Sequence, residues 1–303
     1  MSIMNKQMKL ICIFIGCTVV GVILRFVFKF AVLEPETGFF PIGSVSATVF
    51  PLVMAVLVLT VIVSGYLLIR TDEIYTRSRW QSTLLGIGLF FFAFSLMLVT
   101  AVELVSTFGA ISTGELYMVD TYAQLAFSLF STLCAIICAY QSVSIATGSY
   151  TSSPVSTLIP VIWQLWYLIL VFLRDTNAIH VSEQYLRLGM LCASLVSFYY
   201  FNRQFSDTWS KKMAPASTAT SLSASMLAFV IVIPALFSLL ISGGYNFSLP
   251  ELMLYLSLGI LWLTFGLYIF ISKNMDSTYQ NQSLDWKSLR ADHKAGGGGQ
   301  EKD

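Results

Sequence analysis

The sequence predicts an all-α, polytopic transmembrane helical bundle of about eight spans, and three observations predict it. Of 303 residues, 56% are hydrophobic and 11% charged, where an ordinary soluble domain carries about 25% charged residues. The apolar residues gather into eight blocks of about 20, the length that crosses a ~30 Å hydrocarbon core. Runs such as Leu84 to Leu98 lack the alternation of a membrane barrel, so the spans are helices, whose backbone groups need no partner from lipid.

The elements follow in order from their flanks. The first helix, 10–32, comes after Lys6 and Lys9 and has the outline of a signal peptide. No small-x-small site precedes a hydrophilic region, however, so an uncleaved span is expected. Phe14-Ile15-Gly16-Cys17 is a poor lipobox for the same reason. The second helix, 47–69, ends at the basic connection of Arg70, Arg77 and Arg79. The third and fourth are expected at 82–106 and 119–143, the fifth and sixth at 155–173 and 182–202, the seventh and eighth at 217–242 and 250–272. The connection from Gln141 to Ser156 contains no basic residue, which makes the fourth and fifth helices the hardest to place. Residues 1–275 form the transmembrane domain, and 276–303, polar and interrupted by Gly296 to Gly299, read as a flexible cytoplasmic tail.

Threading follows from the cations. Thirteen of the seventeen Lys and Arg fall at the N-terminus, in the second and sixth connections (the latter Arg203, Lys211 and Lys212) and in the tail, while the opposite loops hold Arg174. Both termini are therefore expected in the cytoplasm. An offset of 133 residues brings Arg70 and Arg79 onto Arg203 and Lys212 and carries the second to fourth spans onto the sixth to eighth. That pattern reads either as a parallel 4+4 repeat with halves 1–145 and 146–275, or as the ordinary likeness of two short basic loops.

Composition and motifs exclude several functions. A net charge of +1 gives no field for nucleic acid. Five cysteines, Cys12, Cys17, Cys134, Cys138 and Cys192, all lie inside spans and form no disulfide framework. With His180 in an external loop and His293 in the tail, no intramembrane Ser-His pair, zinc site or other catalytic set can be built, and no P-loop is present. No enzyme, cofactor or metal is expected.

Two constellations remain. Ionisable groups in spans are costly and mark candidate sites. Arg25, Lys29, Glu103, Glu183 and Arg187 all lie towards the outer end of their helices, and Arg25 is the deepest, ~22 Å along its axis from Leu10. Glu251, Lys29 and Glu183 read as helix-end or interfacial charges. For Arg25 and Arg187 the alternatives are snorkelling to the interface or a buried partner, with Glu103 the expected carboxylate. The second constellation is neutral: Thr121, Gln124, Ser128, Ser131, Cys138 and Ser142 repeat along the fourth helix, and Thr218, Ser221 and Ser225 along the start of the seventh. Gln124, Ser128, Ser131, Ser221 and Ser225 line a polar path for a solute, or they mark close helix packing. Pro160 and Pro234 are expected to interrupt their helices.

Leu24-Arg25 followed by Glu36-Thr37-Gly38-Phe39-Phe40-Pro41-Ile42-Gly43 resembles the first external loop of a group of uncharacterised bacterial eight-helix membrane proteins, which carry an acidic-x-Gly-Leu-Leu-Pro-x-Gly run there. The likeness covers about twenty residues, and Ser44 and Val45 stand where that group has His-Pro. It implies a bacterial plasma membrane and eight helices, and brings no catalytic residue. On its own residues the loop reads as a rigid turn or as a cap over an external pocket. Two functions follow: a carrier or channel for a small solute, or a non-catalytic membrane protein that assembles with a separately encoded partner or senses lipid.

Overall fold

Eight α-helices make up most of the computed structural model, which describes residues 2–32, 45–69, 79–113, 118–148, 154–175, 182–206, 208–242 and 248–271. They are α1 (Ser2–Val27, continued by a π-helical turn at Phe28–Val32), α2 (Ser46–Leu68), α3 (Arg79–Thr113), α4 (Met118–Thr147), α5 (Pro154–Asp175), α6 (Ser182–Phe205), α7 (Ala214–Ser242, entered through a 3₁₀ turn at Lys211–Met213) and α8 (Leu249–Ile271). No strand occurs among the described residues.

Local chemistry sets the ends. Pro154 opens α5, where its missing N–H costs nothing. Gly148, with φ of 72°, closes α4 by donating its N–H to the Ile145 carbonyl, a left-handed stop that suits glycine. Ser248 and Glu251 cap the start of α8 reciprocally: the Ser248 N–H donates to Glu251 Oε2 and the Glu251 N–H to Ser248 Oγ, each at 3.4 Å. Pro160 and Pro234 lie inside α5 and α7, which run on through them. α3 and α4 outrun their expected ends. Beyond residue 106, Thr107 and Ser112 return their hydroxyls to the Glu103 and Gly109 carbonyls, so polar residues continue the helix.

Seven helices, all but α6, are long and apolar enough to cross a membrane. Their outer faces carry large apolar side chains such as Ile15, Val19 and Ile23 on α1, Leu52, Val56 and Leu59 on α2, and Leu129 and Leu133 on α4. Such continuous apolar exposure suits hydrocarbon and not water, so the chain is a multi-pass integral membrane protein. At 24 residues, α6 measures ~36 Å, ample for a span; its polar residues lower its hydropathy. It packs between α5 and α7, and Ser194 and Ser197 are fully buried.

α7 is the hub. It packs against α1, α2, α6 and α8, while α8 also packs on α3, α3 on α4, α4 on α5 and α5 on α6. Six helices thus close a ring from α3 round to α8, and α1 with α2 forms a pair on the outside of α7. Small residues make the hub possible: a Cβ added at Gly65 of α2 would lie 2.9 Å from Ala219 Cβ and 3.0 Å from its Cα. Such surfaces let backbones approach where lipid gives helices no hydrophobic drive to associate. At the 133-residue offset the α3–α4 contact recurs as α7–α8, while α6 and its counterpart α2 both pack on α7.

Candidate functional site

Arg187 and Glu251 lie where α5, α6 and α8 meet. Arg187 Nη2 on α6 donates to Glu251 Oε1 on α8 at 2.9 Å, with the two side chains 13% and 26% exposed. Glu251 is thus a carboxylate partner of Arg187. Glu251 is held in place by the Ser248 cap, so one residue starts α8 and ties it to α6. The Arg187 guanidinium also lies 5.6 Å from the centre of the Tyr255 ring, one turn further along α8. The Tyr255 hydroxyl is 3.0 Å from that of Tyr167 on α5, both buried. Tyr167 stacks on Trp163 at 5.4 Å and on Phe127 at 5.9 Å. An ion pair near the end of the bundle is thus joined through two tyrosines to an aromatic core.

The other charges lie elsewhere. Arg25 is 2% exposed, with its guanidinium 5.5 Å from the centre of the Phe50 ring of α2. Its side chain is thus enclosed by neighbouring residues. Lys29 sits half-buried in the π-helical turn. Glu103 is half-buried on α3, and its carbonyl accepts from Ser106 and Thr107. Glu183 belongs to the first turn of α6, but its side chain, like those of Asp120 and Thr121, lies outside the described ones. The loop from Glu36 to Gly43 and the tail 276–303 also lie outside the described residues.

Several members of the neutral constellation are spent on joining helices. Gln124 accepts from the Thr107 hydroxyl at 3.0 Å, linking α4 to α3. Ser131 accepts the indole N–H of Trp163 at 2.9 Å, linking α4 to α5. Ser225 donates to the Gly259 carbonyl at 2.8 Å, linking α7 to α8. Ser221 returns to the Ser217 carbonyl of its own helix, and Ser128 is 1% exposed. Thr157 of α5 donates to Asn202 of α6, and Gln164 of α5 donates to the Leu191 carbonyl of α6 at 3.2 Å.

The interior at this level is aromatic. Phe92 of α3 meets Trp163 at 5.5 Å and Phe198 of α6 at 5.7 Å, and Phe198 meets Trp262 of α8 at 4.5 Å. Trp262 donates its indole N–H to Ser194 Oγ at 2.6 Å. Trp163, Trp262, Phe92 and Phe198 are all under 2% exposed. Sequence reasoning missed this core, although it left a signal: a tryptophan in mid-span rather than in the interfacial belt needs a buried acceptor for its N–H. Ser131 and Ser194 are those acceptors. Cys134 and Cys138 are buried one turn apart on α4, and no cluster of three metal-ligating side chains occurs among the described residues.

This arrangement fastens helices by tryptophan, glutamine and hydroxyl bonds, with the Arg187–Glu251 ion pair at its edge. No protein-family model, curated protein or solved structure matches the chain.

Proposed function

We propose that the protein is a non-catalytic subunit of a bacterial plasma-membrane assembly, threaded eight times with both termini cytoplasmic, which acts with a separately encoded membrane or cytoplasmic partner. The observation that carries this reading is the filled interior. A path from Arg25 past Ser128 to Ser225 would cross the bundle, yet the level of Ser131 is occupied by Trp163, Phe92, Phe198 and Trp262. Ser131 and Ser225 are engaged between helices. The basic connections suit a partner or anionic lipid on the cytoplasmic side.

A carrier or channel is the second reading, and one observation favours it. Gln164, fully buried one residue from Trp163, has its carbonyl oxygen without a partner. A solute bearing a donor that entered past Glu251 would meet it. Purified protein in proteoliposomes separates the two. The assembly reading expects no saturable uptake across a broad panel of small solutes, together with a stoichiometric complex when native membranes are solubilised mildly and weighed by mass spectrometry. Saturable uptake by the chain alone, abolished by Gln164→Leu, would establish the carrier instead.

A further inference from the structure

At the end of the bundle where α1 begins and α8 ends, a cavity of about 290 Å³ opens between α1, α7 and α8, lined by Leu10, Ile11, Phe14, Thr218, Leu222 and Leu263. The accessible lining is wholly apolar, the Thr218 hydroxyl being fully buried. Two cations stand at the same end. Lys9 precedes Leu10 and Lys212 lies six residues ahead of Thr218, and both are exposed. That spacing is roughly 10 Å along the chain.

The order from the end of the bundle inward is therefore lysine, then hydrocarbon wall. An anionic glycerophospholipid presents the same order: phosphate, then acyl chain. We propose that this cavity seats one such lipid, with an acyl chain between α1 and α8 and its phosphate between Lys9 and Lys212. An apolar cavity of ~150 Å³ already takes up benzene. At about 290 Å³ this one holds part of a chain, and the remainder lies along Ile15 and Val19, which are exposed on α1. A neutral lipid would leave the lysines unanswered, and a peptide segment would bring backbone groups that the apolar wall cannot satisfy. The proposal rests on the cavity and its neighbours and is independent of the assembly reading.

The test uses the full chain, purified in mild detergent, stripped of lipid and titrated with phosphatidylglycerol or with phosphatidylcholine of the same chains while bound lipid is counted by native mass spectrometry. One phosphatidylglycerol per chain is expected to bind roughly ten- to thirtyfold more tightly than phosphatidylcholine, from about 1 kcal/mol for each of two lysines. Lys9→Gln with Lys212→Gln should abolish that preference and leave both lipids bound alike. Ile11→Trp, which fills the cavity from α1, should remove the site for both lipids. Leu267→Trp fills it from α8 and serves if the first variant does not fold. A phosphatidylglycerol with a photoreactive acyl chain should crosslink to residues 10–15 in the unmodified protein. Equal binding of the two lipids by the unmodified protein, retention of the lipid by a folded filling variant, or crosslinks confined to other helices would each overturn the proposal. Displacement of the phospholipid by an equimolar free fatty acid would overturn it as well.

Discussion

Replacing Glu251 by glutamine removes the charge that faces Arg187 while keeping the shape of the side chain. Breaking a fully buried ion pair costs about 3–5 kcal/mol, because the remaining charge has nowhere to go. Here the relief is partial: the two side chains are 13% and 26% exposed, and Arg187 keeps the face of Tyr255 at 5.6 Å. Interhelical polar contacts in membranes average ~0.6 kcal/mol and reach ~1.7. Between these limits the expected loss is about 1–3 kcal/mol. Glutamine at 251 still accepts the Ser248 N–H, so the α8 cap is kept and the loss belongs to the pair. The cycle of Arg187→Met, Glu251→Leu and the double variant isolates the pair. It is read by reversible unfolding in mixed micelles, followed by tryptophan fluorescence. A coupling energy of about 1–2 kcal/mol is expected, with the double variant more stable than Arg187 left alone. A coupling below about 0.3 kcal/mol would refute the claim that this pair ties α6 to α8.

Further predictions concern packing and threading. Gly65→Leu drives a side chain into the Ala219 backbone 3.0 Å away and should cost about 1–3 kcal/mol, read as a lower thermal midpoint, whereas Gly16→Leu, which meets nothing within 4 Å, should leave the midpoint within a degree or two of wild type. Ser131→Ala leaves the Trp163 N–H buried without its acceptor and should cost about 1–2 kcal/mol; a neutral result would mean that the aromatic core tolerates an unpaired indole. For threading, single cysteines at Ser210 and Gly244 in a background without the native five should label oppositely. Gly244 should react with an impermeant reagent from outside intact cells and Ser210 only after permeabilisation, and the reverse pattern would invert the topology.

Much of the architecture was legible because lipid simplifies the problem: a long apolar run has one stable backbone solution. All eight helices stand where the runs placed them, including α5, whose opening Pro154 gave a local marker. Ends were less legible. Hydropathy falls at Glu103 while the α3 helix continues to Thr113, because serine and threonine satisfy themselves on their own helix's carbonyls. Losing one amide bond does not stop a helix held by its neighbours, and α7 continues through Pro234 against the rest of the bundle.

The candidate site was legible in kind and not in pairing. That Arg187 would either reach the interface or find a buried carboxylate followed from its place in a span. That the carboxylate was Glu251 depended on α6 and α8 being brought together, which periodicity does not encode. Glu251 also looked like an ordinary helix-end charge because it is one, in the Ser248 cap. The polar stripe of α4 was seen, and its two readings differed only in what faced it. Trp163 faces it, and a side chain 32 residues away leaves no mark on the stripe itself.

The central claim is that the polar residues of α4 and α7 fasten a closed interior and do not line a path for water. Cysteines placed singly at Ser128, Ser131 and Ser225, in membranes and in a background without the native five, test it with a small hydrophilic thiol reagent applied from each side. Ser210, exposed between α6 and α7, serves as the reactive control. Labelling is expected at Ser210 and at none of the three buried positions. Labelling of Ser128 and Ser225 at rates comparable to Ser210 would contradict the closed interior and with it the assembly reading.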